Sequence, residues 1–302
     1  MRKTILKTLA YADIFDYPLT AREIWEFLIG NTEAGIQAVR KHLMILADSK
    51  HLPAGKAGIY TNGELYFLKG REELVKIRKK KEEWSGIKFI IAQKAADKLK
   101  VIPTIKLAGI TGALAMNNCK EDDDIDLLII TSSDSLWLTR LLIIILCPIL
   151  GIRRRKPKNK KFKDKVCFNL FLEENHLKIE PENLFSAHEI CQTKPIFNKD
   201  NTYEKFLREN GWVSNFLPNA KKISNFKLLR ATQQISNFKK SRILSFFNDF
   251  AFRLQFWYMK PKITVEKVSQ FQAFFHPNDL AEKIIREYNH KLALLGLDKQ
   301  LN

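Results

Sequence analysis

Asp124 and Asp126 are spaced for metal chemistry. They open the run Asp124-Ile125-Asp126-Leu127-Leu128-Ile129-Ile130-Thr131, whose β-branched and aliphatic composition predicts a strand. Side chains two apart on a strand share a face, so both carboxylates point one way and Ile125 and Leu127 the other. Two like charges placed so repel each other unless a cation joins them, and hard oxygen ligands select Mg²⁺ or Mn²⁺. Glu121, Asp122 and Asp123 extend the cluster in a chain whose formal net charge is +18. Asp126 lies inside the strand pattern, where an uncompensated charge is costly, so a solvated acidic turn does not account for it.

Two other acidic or phosphate-binding motifs fail on their spacing. An EF-hand that starts at Asp122 requires glycine where Leu127 stands, and a Walker loop requires a Gly-Lys-Ser/Thr ending that this stretch lacks. Upstream, the apolar run Ile105-Lys106-Leu107-Ala108-Gly109-Ile110 predicts a second strand that enters Thr111-Gly112-Ala113 and a short helix. Glycine permits close backbone approach, and amides at a helix start suit phosphate oxygens. A phosphate turn followed by a metal-binding Asp-x-Asp points to nucleoside triphosphate chemistry.

On these residues the chain resembles the nucleotidyltransferase superfamily of the DNA polymerase beta type. In that family a glycine-serine or glycine-glycine pair opens a helix, and Asp-hydrophobic-Asp follows after about ten residues at the start of a strand. Here Gly112-Ala113 takes the place of the pair and Asp124-Ile125-Asp126 is the acidic motif, with the resemblance clearest over residues 90–135 and extending to 175. It implies transfer of a nucleoside monophosphate from an NTP to a hydroxyl with release of pyrophosphate. Asp124 and Asp126 then hold Mg²⁺ or Mn²⁺, and Thr111, Gly112 and Ala113 position the phosphates.

The sequence departs from that pattern twice. Ala113 lacks the hydroxyl of the family's serine. Active members also carry a third carboxylate on a neighbouring strand, and the candidate strand Val166–Glu173 offers Asn169 in its middle and Glu173 at its end. Strict alternation puts Cys167, Asn169, Phe171 and Glu173 on one face, so both Asn169 and Glu173 stand as candidate metal neighbours.

The elements that position these residues suggest an α+β fold in three parts. Residues 1–82 read as three helices and a hairpin and resemble a winged helix-turn-helix domain. Thr4 to Phe15 is the first helix, and Leu19 to Leu28 the second, capped by Thr20 with Glu23 three residues on. A third opens at Thr32 or Glu33 with Ile36, Val39, Leu43 and Leu46 as its apolar face, and Asn62-Gly63 marks the hairpin turn. Residues 71–84 have the charge pairing of a solvated connector. Residues 83–180 form the mixed-sheet nucleotidyltransferase core, with an amphipathic helix ending before Pro103 and three strands. Residues 181–302 read as helical. The pentapeptide ISNFK occurs at 223–227 and 235–239, which is too short to signal a repeat architecture.

Composition narrows the remaining choices. A hydrophobic content of 45% and a pI near 9.7 describe a folding chain attracted to anions. The basic run of Arg153, Arg154, Arg155, Lys156, Lys158, Lys160, Lys161, Lys163 and Lys165 suits a nucleic-acid or other anionic acceptor as readily as a solvated loop. If the winged helix binds DNA and the transferase core is degenerate, the chain is instead a nucleic-acid-binding regulator. Arg40, Lys41 and His42 give the third helix only a few of the basic side chains such binding needs.

Leu136 to Ile152 is interrupted by Arg140 and Pro148 and is shorter than the roughly 20 apolar residues a spanning helix requires, so no integral membrane insertion is expected. Residues 243–259 are dense in aromatics and read as packing onto the core, with peripheral membrane contact as the weaker alternative. The N-terminus has no signal-peptide pattern. Four scattered cysteines suggest reduced thiols and a cytoplasmic setting. His176 and His188 have no nucleophile paired with them and read as structural.

Overall fold

The computed structural model describes residues 1–47, 58–156, 161–220, 242–263, 267–275 and 279–298. The chain has an α+β fold built on a six-stranded mixed sheet. Its strands are β4 (Ile105–Ile110), β5 (Ile125–Thr131), β6 (Val166–Glu173), β7 (Lys194–Asn198), β8 (Lys267–Val268) and β9 (Gln272–Phe274), in the order β7-β4-β5-β6-β9-β8. β5 and β6 are parallel, and every other neighbouring pair is antiparallel. The sheet therefore extends past residue 180: β7, β8 and β9 come from the region expected to be helical. Each is short and polar at several positions, which hides its strand character from a periodicity reading.

Alternation along β5 sorts its residues between two cores. Ile125, Leu127 and Ile129 face one cluster, under α4 (Leu74–Leu99), α6 (Leu136–Ile149) and the aromatic helix Arg242–Met259. Leu128 and Ile130 face the other, with α7 (Leu184–Gln192), α8 (Thr202–Glu209) and the helix Asp279–Leu294. Asp126 lies on this second face.

The N-terminal unit has α1 (Arg2–Asp13), α2 (Ala21–Glu26), α3 (Ile36–Ala47) and the hairpin β2 (Ile59–Thr61) to β3 (Leu65–Leu68), with β1 (Leu19–Thr20) added to β3. The Thr20–Glu23 capping box forms as expected. The helix it opens starts only at Ala21, because Leu19 and Thr20 pair with β3 instead, and it ends at Glu26. The third helix starts at Ile36, later than Thr32 or Glu33. Gly63 takes a φ of +99° in the turn, and the Asn62 side chain accepts from the Glu64 and Leu65 amides.

This unit has its own core but is also built into the sheet domain. Tyr11 and Ala10 of α1, with Phe27 and Ile29, belong to the same cluster as Leu128 and Leu172. Asn219 bridges across, accepting from the Ala34 amide at 3.0 Å and donating to the Trp25 carbonyl at 2.7 Å. Asp13, nearly buried, accepts from Arg71 at 2.8 Å and from Lys291 at 2.6 Å. On α3, the exposed surface carries Met44 and Ile45 beside Arg40 and Lys41.

The expected solvated connector and the amphipathic helix after it are one continuous helix, α4, which crosses the boundary placed at residue 82. After Leu74 its buried stripe runs through Arg78, Lys81, Ser85 and Lys88 before it becomes Ala92, Ala95, Ala96 and Leu99. Arg78 is buried against Glu23 of α2, with hydrogen bonds of 2.8 and 2.9 Å, so charged residues pack this end of the helix.

α6 is the short buried helix expected from its length, and no described helix is long and apolar enough to cross a membrane. The aromatic helix departs from expectation. It packs on α6 through Ala251 and the buried amides of Asn248 and Gln255, which bond Trp137 backbone groups. Ile243, Phe246, Phe247, Phe250, Leu254, Trp257 and Tyr258 instead form an exposed stripe. The two copies of ISNFK lie outside the described residues, as do Lys158 and Lys160 of the basic run.

Candidate functional site

The start of β5, the middle of β6 and the turn after β4 meet at one end of the sheet. Asp126 lies opposite Cys167 in the parallel ladder. Ligand atoms of Asp124, Asp126 and Cys167 lie within 4.8 Å of one another, the one such group of three His, Cys, Asp or Glu found among the described residues. Strand alternation thus delivers both carboxylates to one side, as the sequence predicts.

The turn packs directly on this pair. The Thr111 amide donates to the Asp126 carbonyl at 3.1 Å, and Gly112 follows at a φ of +62° as the first residue of the four-residue helix α5 (Gly112–Ala115). A Cβ at Gly112 would lie 3.0 Å from Asp126 Oδ2, so glycine is required both by its backbone conformation and by the carboxylate beside it. Ala113 is exposed and Thr111 buried. Thr111 and Gly112 therefore adjoin Asp126, and Ala113 follows them in the turn.

Asn169 donates from Nδ2 to Asp126 Oδ1 at 2.8 Å. It reaches that oxygen because β6 bulges there: Leu127 pairs with Phe168, and Leu128 with Leu170. One extra residue on β6 reverses the alternation beyond it, so the face expected to hold Cys167, Asn169, Phe171 and Glu173 ends at Asn169. Phe171 belongs to the opposite core.

Glu173 is thereby removed from the site. It pairs with Thr131 at the far end of β5, about 20 Å of strand beyond Cys167, and its Oε1 accepts from the Ser135 amide at 3.1 Å at the start of α6. Between the two candidates left open by the sequence, only Asn169 stands beside the aspartates. It does so as an amide donor to Asp126.

Two cations outside the motif organise it. Arg155 donates to Asp124 Oδ2 at 2.6 Å, and its guanidinium lies 4.9 Å from the centroid of the Phe162 ring. Lys88 of α4, fully buried, donates to the carbonyls of Glu121 and Asp123 at 2.9 and 2.8 Å and to Asp164 Oδ1 at 2.7 Å. Lys163 pairs with Glu121 at 2.6 Å. Part of the basic run is therefore engaged with the acidic loop. The segment between the glycine turn and the acidic loop is partly buried: Asn118 and Cys119 are enclosed, bonded to the Phe15 carbonyl and the Ser85 hydroxyl.

Burial first, and then the charges of Asp126 and Asp124, push the Cys167 thiol up well above its ordinary range. A neutral thiol is a poor ligand for a hard cation. The donors that fit a divalent ion are thus the two carboxylates, with substrate oxygens and water needed to complete its shell. His188 is buried and stacked on Tyr11 with ring centroids 3.9 Å apart, and burial lowers its pKa to about 4. His176 stacks on Phe271, so each histidine lies against an aromatic ring.

Arg155 and Lys88 are the neighbours that sequence reasoning did not place. Cys167 was legible from its parity with Asn169. No local pattern marks Arg155 among nine basic residues, or Lys88 in a helix separated from the motif by a whole strand. No family model, characterised protein or solved structure matches this chain.

Proposed function

We propose that this chain is a metal-dependent nucleotidyltransferase that moves a nucleoside monophosphate from an NTP to a hydroxyl and releases pyrophosphate. The observation that carries the reading is the packing of Gly112 on Asp126. A glycine turn suited to phosphate and a carboxylate suited to a divalent cation lie so close that a Cβ built on Gly112 would stand 3.0 Å from Asp126 Oδ2, although the two are separated along the chain.

Asp124 and Asp126 are the residues that hold Mg²⁺ or Mn²⁺, which when bound neutralises phosphate charge and lowers the pKa of an acceptor hydroxyl. The chain's own groups do the positioning. Gly112 lets the turn approach Asp126 closely, and the backbone amides of Gly112 and Ala113 are the groups that would hold the phosphates. Asn169 fixes the Asp126 carboxylate through Oδ1. Arg155, already at Asp124, is placed to exchange that carboxylate for a phosphate oxygen, a contact guanidinium groups make well. With an amide where active relatives of the proposed family place a third carboxylate, the donor set suits one cation carried with the nucleotide better than a pair.

The alternative role, a DNA-binding regulator, has less in its favour. α3 exposes Met44 and Ile45, and α1 is partly buried in the shared core. The four free cysteines accord with a reducing, cytoplasmic setting.

Titration calorimetry with each NTP tests the reading. Binding that requires Mg²⁺ and weakens at least tenfold in Asp124→Asn and Asp126→Asn is the expected result. Equal affinity in EDTA and in both variants sinks it.

A further inference from the structure

A cavity of about 410 Å³ lies between the N-terminal unit and the sheet, and its wall includes Gly112, Asp126 and Asn169. That volume is in the range of small-molecule sites. Tyr11 and Phe15 of the first helix and its flank, Met116 after α5, Phe185 of α7 and Phe274 of β9 supply most of the remaining surface. Each comes from a different element, so the cavity exists only because the N-terminal unit is docked on the core.

Its polarity is specific. Asn118 lines it, is nine-tenths buried, and gives its Nδ2 to the Phe15 carbonyl at 2.9 Å, whereas its Oδ1 is buried with no hydrogen-bond partner among the described residues. A buried acceptor left unmatched is costly, and a small turn of the Asn118 side chain toward a donor on an occupant would remove that cost. Among the described residues no lysine or arginine lines the cavity, and Asp126, Glu180 and Glu189 do. In a chain of net charge +18 the lining away from the Thr111–Ala113 turn is therefore the reverse of a phosphate-binding surface. A nucleic-acid or polyphosphate acceptor finds no counter-charge here, whereas uncharged rings find aromatic walls.

We infer that this cavity is the acceptor site, and that it takes a small, uncharged, ring-bearing alcohol or phenol that gives one hydrogen bond to Asn118 and presents a hydroxyl at Asp126. The acceptor role rests on the nucleotidyl-transfer reading; binding of the ring compound does not. In the reaction the acceptor oxygen forms a bond to the α-phosphorus and the bond from that phosphorus to the bridging oxygen breaks. Pyrophosphate leaves and the hydroxyl proton passes to water.

The test is fluorescence titration of the full chain with 2,6-dihydroxynaphthalene, with naphthalene and adenosine as comparators. Ala12→Phe and Ser186→Phe place rings in the cavity from opposite walls, and circular dichroism checks that each folds. Saturable one-site binding is expected, at least tenfold tighter than naphthalene and at least tenfold weaker in either filled variant. Absence of saturable binding to the wild type overturns the inference, as does binding that both filled variants retain. Adenosine binding that is lost on filling also overturns it, because the cavity is then a nucleoside subsite. The comparison among ligands uses the wild-type chain and stands even where a filled variant does not fold. If the ring compound binds as expected but MgATP ignores Asp124→Asn, the transfer reading fails and the site remains. The opposite pair of results leaves the transfer reading and removes the site.

Discussion

Asn169 and Asp126 are joined by a 2.8 Å hydrogen bond across two parallel strands, at the residue where β6 bulges. On the proposed transferase reading the amide takes the place of a third carboxylate, so Asn169→Asp is an informative substitution. It replaces a donor with a second negative charge in contact with Asp126, which should cost about 1–3 kcal/mol in the absence of a cation. A divalent ion bound by all three carboxylates reverses that penalty. Thermal melts should therefore show the variant below the wild type in EDTA, with a larger rise in Tm on adding Mg²⁺ or Mn²⁺. Equal rises in the two proteins would mean that the three side chains do not share an ion.

Gly112→Ala should disturb the site from the other side. The backbone φ of +62° costs an alanine about 1–2 kcal/mol, and the new methyl stands 3.0 Å from Asp126 Oδ2. The carboxylate must turn or the helix start must shift. Denaturant unfolding should report the modest loss of stability, while MgATP affinity falls at least tenfold. Loss of stability with affinity intact would separate the turn from nucleotide binding.

The site was legible where local rules govern it. Asp124 and Asp126 share a face because β5 obeys alternation, and Gly112 meets Asp126 because an antiparallel neighbour folds the turn back over the strand start. Glu173 shows where such reading stops. One extra residue in β6 turns Phe171 to the opposite core, and strand length alone carries Glu173 away from the aspartates. A bulge has no composition signature in Val166–Glu173. The fold shows the same limit in α4: its buried stripe is charged near Arg78 and Lys88, and a hydrophobic pattern cannot mark a face closed by ion pairs with partners as remote as Glu23 and Asp164. β7 and β9 gain their strand character from the sheet they join, so their own short sequences did not announce it.

Lys88 gives a direct test of that remote support. Its ammonium is fully buried and bonds two carbonyls of the acidic loop as well as Asp164. Lys88→Met retains the aliphatic length but leaves those acceptors and one carboxylate without their donor. Breaking a buried pair in this way costs about 3–5 kcal/mol. Hydrogen exchange should quicken in the loop around Asp123 well before the sheet opens. A variant as stable as the wild type, with the loop still protected, would show that the lysine does not hold it.

Glu173 and His188 impose opposite pH dependences over the same range. Burial, the largest effect on Glu173, raises its pKa from 4.5 to about 7 although the Ser135 amide pulls the other way. The folded pKa lies above the unfolded one, so the protonated carboxyl favours the fold. Its contribution is complete below about pH 4.5 and is lost as pH rises through 7. His188 is lowered by burial from 6.5 to about 4, so its contribution is present above pH 6.5 and is lost as pH falls toward 4. The wild-type melt therefore conceals both, and a difference measurement separates them. The Tm of the wild type minus that of Glu173→Gln should decrease between pH 4.5 and 7 by about 4–8 °C, the equivalent of about 2–3 kcal/mol. The histidine acts equally in both proteins and cancels. A difference that stays flat across this interval would show that Glu173 ionises at its ordinary pH, and that the amides at the start of α6 outweigh its burial.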